Sequence, residues 1–123
     1  MSIIVERFNK IKSNIEKVSS YTSRTIIAVS KTFSLDHIMP LIDYGHMHYG
    51  ENKVQEAEVK WSQIKSKNKD LKLHMIGKLQ SNKAKKAVQI FDYIHSLDSQ
   101  KLADVLASSQ ENINKSIKYF IQV

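Results

Sequence analysis

TIIAVS, residues 25–30, is a short run of mostly apolar and β-branched side chains, and it is the stretch that decides the fold class. Its apolar residues do not alternate with polar ones, which is typical of a strand buried on both faces of a parallel sheet. The preceding segment has the period of an amphipathic helix, because apolar residues recur at spacings of four and three: Ile4, Phe8, Ile11, Ile15 and Val18. We therefore expect a helix and then a buried strand.

The same succession continues to the last residue. Ser34 is positioned to cap a second helix that ends at Gly45, although Pro40 predicts that this helix starts later or is kinked. Further strands are predicted at residues 46–49, 71–76, 93–97 and 117–123, with helices at 51–65, 82–91 and 99–108 between them. Strands separated by helices in this way predict an α/β fold with a parallel sheet and right-handed crossovers.

Two architectures fit that succession, a doubly wound sheet and a (β/α)8 barrel. The loop after the first strand, residues 31–34, contains no glycine fingerprint for a dinucleotide, which disfavours the doubly wound fold. The length of 123 residues suits one domain. The last predicted strand is strongly β-forming, so we expect its open edge to be covered by another part of a longer barrel or by self-association.

Composition excludes several classes of function. The chain has no cysteine, so disulfides, thiolate metal sites and cysteine nucleophiles are absent. No apolar run approaches the roughly 20 residues of a membrane span, and the first residues do not resemble a signal peptide. We therefore expect no membrane association and a cytoplasmic location.

The net charge of +7 is concentrated in one segment. Between Lys60 and Lys86 there are nine lysines and a single acid, Asp70, so this segment alone carries +8. Such a cluster attracts phosphates, including those of nucleic acids. The run contains no arginine, however, which bidentate reading of bases would favour. We interpret it as a solvated helix face plus a loop, with nucleic-acid binding as the less favoured alternative.

Chemically useful residues follow the predicted strands, where the carboxyl ends of a parallel sheet place functional groups. They are Lys31, the tripeptide 50–52, the loop 77–83 and Asp98. A lysine attacks an aldehyde only as the neutral amine, which apolar surroundings and a neighbouring cation such as Lys78 or Lys83 would favour. From the residues alone, Lys31 is more readily explained as an ordinary solvated lysine. Glu51 and Asn52 are equally explained as a first-turn acid and an N-terminal cap of the next helix.

Three ordered motifs sharpen this interpretation. They are IAVSKT (residues 27–32), YGENKVQE (49–56) and HMIGKLQSNK (74–83), followed by IHSLD (94–98). In this order and at these spacings they resemble the pyridoxal phosphate homeostasis protein family, and the resemblance extends from the first helix to the last residue.

The resemblance implies a (β/α)8 TIM-barrel type of domain with the alanine-racemase-like fold that binds pyridoxal 5'-phosphate (PLP). Residues 1–123 would be the N-terminal portion of that single domain, truncated after about five strands. It also implies that PLP forms a Schiff base with Lys31, that Asn52 faces the cofactor or its surroundings, and that Gly77 and Lys83 edge the pocket. The implied function is PLP binding in intracellular PLP homeostasis, with no catalytic residue, no metal and no established enzymatic activity.

Some residues depart from the family pattern. Tyr49 replaces the usual phenylalanine, and Phe33-Ser34 stands where the family often has a lysine and a proline. The glycine- and serine-rich phosphate motif of the C-terminal half is missing. We therefore expect weak PLP binding, or none, unless another chain completes the barrel.

Three alternatives to PLP binding stay open. They are a non-functional remnant of the family, a racemase-like PLP enzyme, and a basic nucleic-acid-binding module. A racemase would need a second acid or base opposite the lysine, and no residue is marked for that role. His46 and His48 have the spacing of same-side strand residues, but two ligands are too few for a metal site.

Overall fold

The computed structural model describes residues 2–18 and 25–123, and its centre is a five-stranded parallel sheet. The strands are β1 (Ala28–Val29), β2 (His48–Glu51), β3 (Lys72–Met75), β4 (Tyr93–Leu97) and β5 (Lys118–Ile121). Each strand pairs in parallel with the next one along the chain, in the order β1-β2-β3-β4-β5. The predicted α/β fold with a parallel sheet is confirmed.

Five α-helices accompany these strands within the described ranges. They are α1 (Ile3–Val18), α2 (Leu35–Tyr44), α3 (Val54–Lys67), α4 (Ala84–Ile90) and α5 (Gln100–Gln110), with one 3₁₀ turn (Ser81–Lys83) directly before α4. Because the spatial order of the described strands never reverses, right-handed crossovers place α2 to α5 on the same face of the sheet. A doubly wound sheet would reverse direction partway, so these strands do not form one.

The core lies between the sheet and this helix layer. The ring of Tyr49 in β2 packs on the ring of Trp61 in α3 with their centroids 4.9 Å apart. Strand and helix side chains that are completely or almost completely inaccessible complete the layer: Ala57, Leu73, Met75, Ala87, Val88 and Ile94. Alternation along each strand therefore sends one set of side chains into this core and the other set to the opposite face.

Two strand predictions need correction. β1 has only two residues, and Val29 is 49% exposed instead of buried on both faces, because β1 is an edge of the described sheet and Val29 points away from the helices. β2 begins two residues later than predicted. Gly50 and Glu51 therefore belong to the strand, where the carbonyl groups of both accept hydrogen bonds from the neighbouring chain segments at Ser30 and Ile76.

The end of α2 agrees with its sequence signal, whereas its start does not. α2 ends at Gly45, whose φ of 109° is the left-handed conformation that favours glycine. It starts at Leu35 and keeps Pro40 inside, which is contrary to the first of the two alternatives, a later start. The Ser34 hydroxyl lies 3.0 Å from Nδ1 of His37 and makes no capping bond to the backbone.

Only part of the apolar stripe of α1 is buried. Val5 is buried and Ile4 and Phe8 pack against the core, whereas Ile11 and Val18 are exposed. The predicted face therefore packs against the core in the first two turns, and Ile15 further along is half-buried. None of the described helices is long and apolar enough to cross a membrane.

Candidate functional site

Lys31 lies on an exposed turn at the carboxyl end of β1. The turn is closed by a hydrogen bond of 3.2 Å from the Phe33 amide to the Ser30 carbonyl. Within it, Thr32 has a φ of 67°, a left-handed conformation that is an outlier for a β-branched residue. Backbone strain of this kind persists only where the surroundings enforce it, and it clusters at functional sites. Lys31 is thus presented next to a strained residue.

A buried polar network lies directly beneath this turn. One carboxylate oxygen of Glu51, Oε2, accepts hydrogen bonds from the Ser30 hydroxyl, from the Trp61 indole N–H at 3.0 Å and from the Lys60 ammonium at 2.9 Å. Lys60 also donates to the carbonyl of Ser30. The side chain of Glu51 is 1% exposed and that of Lys60 is 14% exposed. The residue that precedes Lys31 is therefore held by a buried ion pair.

This network corrects the sequence-based view of Glu51 as a first-turn acid. Because β2 extends through Glu51, its side chain alternates into the helix-facing core, where a charge requires partners. A signal was present in the sequence, since the indole N–H of Trp61 in a buried helix face needs an acceptor. Periodicity alone did not reveal which acid would supply it.

Asn52 and Gly77 are in direct contact. A Cβ atom on Gly77 would lie 2.7 Å from the Cβ and the carbonyl oxygen of Asn52, closer than real contacts allow, so only glycine fits there. The Asn52 side-chain oxygen is buried and has no hydrogen-bond partner among the described residues. A buried acceptor left unpaired is unfavourable, so this oxygen is free to accept a hydrogen bond from a ligand or a water molecule.

Asn52 and Lys83 border the same cleft. Its volume is about 660 Å³, and its wall combines the start of α3 with the loop after β3: Asn52, Lys53, Val54, Gln55, Glu56, Met75, Lys78, Leu79, Gln80 and Lys83. The three lysines give it a positive rim, which suits an anionic ligand. The structure therefore brings Asn52, Gly77 and Lys83 together at one edge of the sheet.

Residues adjacent to Lys31 border a second cleft of about 580 Å³. Its lining includes Thr32, Phe33, Ser34, Glu51, Val59 and Lys60, and it shares Gln55 and Glu56 with the first cleft. The two clefts are thus neighbours along the start of α3. Lys78 and Lys83 line only the first cleft, and Lys31 itself lines neither of the two.

Several lysines of the lysine-rich segment, residues 60–86, are engaged in ion pairs. Lys60 pairs with Glu51, Lys65 with Asp92 at 2.6 Å, and Lys86 with Glu58 at 2.8 Å, and all three acids lie outside the segment. Lys65 also donates to the Ile90 carbonyl. The interpretation as a solvated face is therefore wrong for Lys60 and Lys65, whose ammonium groups are largely enclosed.

Three histidines form a ladder on the sheet face opposite the helices. Nδ1 of His48 lies 3.0 Å from Nε2 of His74, and Nδ1 of His74 lies 2.9 Å from Nε2 of His95. The ring of Tyr93 stacks on His74 at 4.2 Å, and the ring of Phe120 stacks on His95 at 4.6 Å. The strand register places each histidine two residues further along than its neighbour, so all three share one face.

Burial disfavours the charged form of these histidines. It lowers the pKa of His74 from 6.5 to about 4, with His95 and His48 adding to the effect, and it is also the main cause that lowers the pKa of His48 and of His95. Across residues 2–18 and 25–123 no group of three or more potential ligands is arranged for a metal ion. His46 lies before the start of β2 and packs against the ring of Phe8, with centroids 4.6 Å apart, and its ring centroid is 6.3 Å from that of His48.

Relatives of known structure share this fold. PipY of Synechococcus elongatus, solved without PLP, is 40% identical with a TM-score of 0.74, and the match covers 89% of this chain and 51% of PipY. The same protein solved with PLP bound matches at 39% identity, with a TM-score of 0.73 and coverage of 89% and 52%.

Curated relatives agree with one another, although no family profile matches the chain. The pyridoxal phosphate homeostasis protein of Pasteurella multocida is 34% identical over 125 residues, which cover 98% of this chain and 54% of that protein. The protein of the same name from Buchnera aphidicola of Acyrthosiphon pisum is 38% identical over 99 residues, 80% of this chain and 49% of that one. The chain spans about half the length of the curated relatives it matches. It belongs to the pyridoxal phosphate homeostasis protein family.

Proposed function

We propose that this chain binds PLP as part of PLP homeostasis, with Lys31 as the residue that takes the aldehyde of the cofactor. The observation that carries the proposal is the position of Lys31, exposed on a strained turn at the same sheet edge as Asn52, Gly77 and Lys83. Two findings support it: the relatives are named for PLP homeostasis, and PipY has been solved with PLP bound.

The residues at this edge fit the chemistry of PLP. The primary amine of Lys31 condenses with an aldehyde to form a carbon–nitrogen double bond, and one water molecule is released. The unpaired oxygen of Asn52 offers an acceptor beside the positive rim, to which Lys78 and Lys83 contribute. Lys31, Asn52 and Lys83 are therefore the residues that would hold the cofactor, while Gly77 lets its loop approach Asn52.

We also propose that the five strands are part of a (β/α)8 barrel, with residues 1–123 as its N-terminal portion. The strand order supports this, because strands that neighbour one another in chain order with helices on one face are how such barrels are built. The ladder face with His48, His74 and His95 would then point inward. Binding and delivery of PLP, and not turnover, is the role proposed, since the relatives' names describe homeostasis and no reaction.

The test is covalent capture of PLP. The purified chain is mixed with PLP, the absorbance is followed, the adduct is reduced with borohydride, and tryptic peptides are mapped. Modification of Lys31 blocks cleavage there, so the adduct should appear on a peptide spanning residues 25–53. Lys31→Ala should abolish it. Lys101→Ala, which removes an exposed lysine from α5, is the matched control and should leave it intact. Adducts spread evenly over exposed lysines, or equal labelling of Lys31→Ala, would refute the assignment.

A further inference from the structure

The ammonium of Lys60 is bonded to the peptide unit that leads into Lys31. It donates to the carbonyl oxygen of Ser30 and to Oε2 of Glu51, and the same carbonyl accepts the amide of Phe33 that closes the turn. The hydroxyl of Ser30 donates to the same carboxylate oxygen. Both ends of the Ser30 backbone are therefore held, since its amide also donates to the Gly50 carbonyl at 2.9 Å.

Stability alone does not account for this arrangement. A buried ion pair is weak evidence for stabilisation, because removing two charges from water offsets most of their attraction. The second carboxylate oxygen of Glu51, Oε1, is buried with no partner among the residues that the structure describes. The adjoining Thr32 is held in a left-handed conformation. The unpaired carboxylate oxygen beneath the turn and the left-handed residue within it are both unfavourable. Such features are expected at a site where the conformation of the backbone is needed for function.

We propose that Lys60 and Glu51 are positioning residues that fix the backbone of the turn so that Lys31 is presented for covalent capture of its ligand. Lys60 acts through the Ser30 carbonyl, and Glu51 acts by orienting both Lys60 and the Ser30 hydroxyl. The inference rests on the proposed role of Lys31 for its chemical readout. The prediction that Lys60 keeps the backbone of this turn ordered does not depend on PLP.

Lys65 provides a matched control on the same helix. Like Lys60, it bridges a backbone carbonyl and a carboxylate, those of Ile90 and Asp92, and its side chain is 22% exposed. Its partners lie at the end of α4 and in the connection to β4, away from the Lys31 turn. Replacement of either lysine by methionine removes one charge from a largely buried ion pair and keeps a similar apolar stem. The two variants differ mainly in which backbone segment they release.

The experiment compares the parent chain with Lys60→Met, Ser30→Ala and Lys65→Met. The first readout is the rate of PLP capture, followed over a range of PLP concentrations and trapped with borohydride. We expect Lys60→Met to lower the saturating rate about tenfold, with the half-saturating PLP concentration and the final amplitude nearly unchanged. Lys65→Met should retain the parent rate. Loss of folded protein alone would instead lower the amplitude. Ser30→Ala should also slow capture, and it carries the test if Lys60→Met does not fold.

The second readout is cleavage by trypsin after Lys31 without PLP. Lys60→Met and Ser30→Ala should be cut faster there than the parent and Lys65→Met. Equal capture rates and equal cleavage in Lys60→Met, Ser30→Ala and Lys65→Met would overturn the inference. If the parent captures no PLP, the proposed function fails, and the cleavage rates still decide whether Lys60 orders the turn.

Discussion

Acidification from pH 7 to pH 5 should destabilise this fold by about 2 kcal/mol through His74 alone. His74 is 3% exposed, and burial lowers its pKa from 6.5 to about 4, with the neighbouring His95 and His48 contributing. Because its pKa is lower in the folded than in the unfolded chain, protons bind more readily to the unfolded chain. The stability that the neutral ring of His74 gives to the folded chain is therefore fully present above pH 6.5, and it is lost as the pH falls towards 4.

The magnitude follows from the two pKa values. At pH 5 the unfolded imidazole is almost fully protonated, whereas only about a tenth of the folded molecules carry a proton on His74. The difference corresponds to about 2 kcal/mol at pH 5 and approaches about 3 kcal/mol below pH 4. This is a large fraction of the free energy of unfolding of an ordinary domain, so the effect is measurable.

Urea unfolding at pH 7 and pH 5 measures it directly. Trp61 is the single tryptophan and is fully buried, so its fluorescence reports the loss of the core. His74→Gln removes the titrating group. Between pH 7 and pH 5, its free energy of unfolding should therefore fall by about 2 kcal/mol less than that of the parent. His37→Gln, at an exposed position on α2, should behave like the parent. If His74→Gln lost as much stability as the parent on acidification, burial of His74 would not be the cause.

Two further predictions concern packing and charge. Gly77→Ala should lower the free energy of unfolding by about 1–3 kcal/mol, because the new methyl group meets the backbone of Asn52 at 2.7 Å. Gly50→Ala, whose methyl group would meet a flexible side chain of Ile76 at 3.1 Å, should cost less in the same urea titration, and the reverse order would contradict this. Lys86→Met should change stability by less than about 0.5 kcal/mol, since its ion pair is exposed. Lys65→Met should cost more because it leaves Asp92 without its closest cation, and equal losses would be inconsistent with the difference in burial.

Local patterns were sufficient to predict the succession of elements. The apolar run at residues 25–30, the helical period of the connecting segments and Gly45 at a helix end are signals carried by a few neighbouring residues. They predicted five strands in the observed order with helices between them, although β1 is shorter and β2 begins later than predicted. The motifs likewise placed Lys31, Asn52, Gly77 and Lys83 in the connections that follow β1, β2 and β3, at the carboxyl edge of the sheet.

These local patterns did not predict the contacts between residues that are far apart in the sequence. The pairing of Glu51 with Lys60 depends on β2 extending two residues further than predicted and on which way Glu51 then points. The contact between Gly77 and Asn52 depends on how two loops meet. The histidine ladder depends on the register between strands, which a period of two along each strand does not determine.

The geometry of the ladder ties the three histidine rings together. A neutral imidazole carries one N–H group and one acceptor nitrogen. When Nδ1 of His74 holds its proton, it donates to Nε2 of His95, while Nε2 of His74 accepts from Nδ1 of His48. All three rings are then Nδ1–H tautomers. When Nε2 of His74 holds the proton, both bonds reverse and all three become Nε2–H tautomers. The rings therefore switch as one unit, and the two arrangements have opposite dipoles across the sheet from β2 to β4.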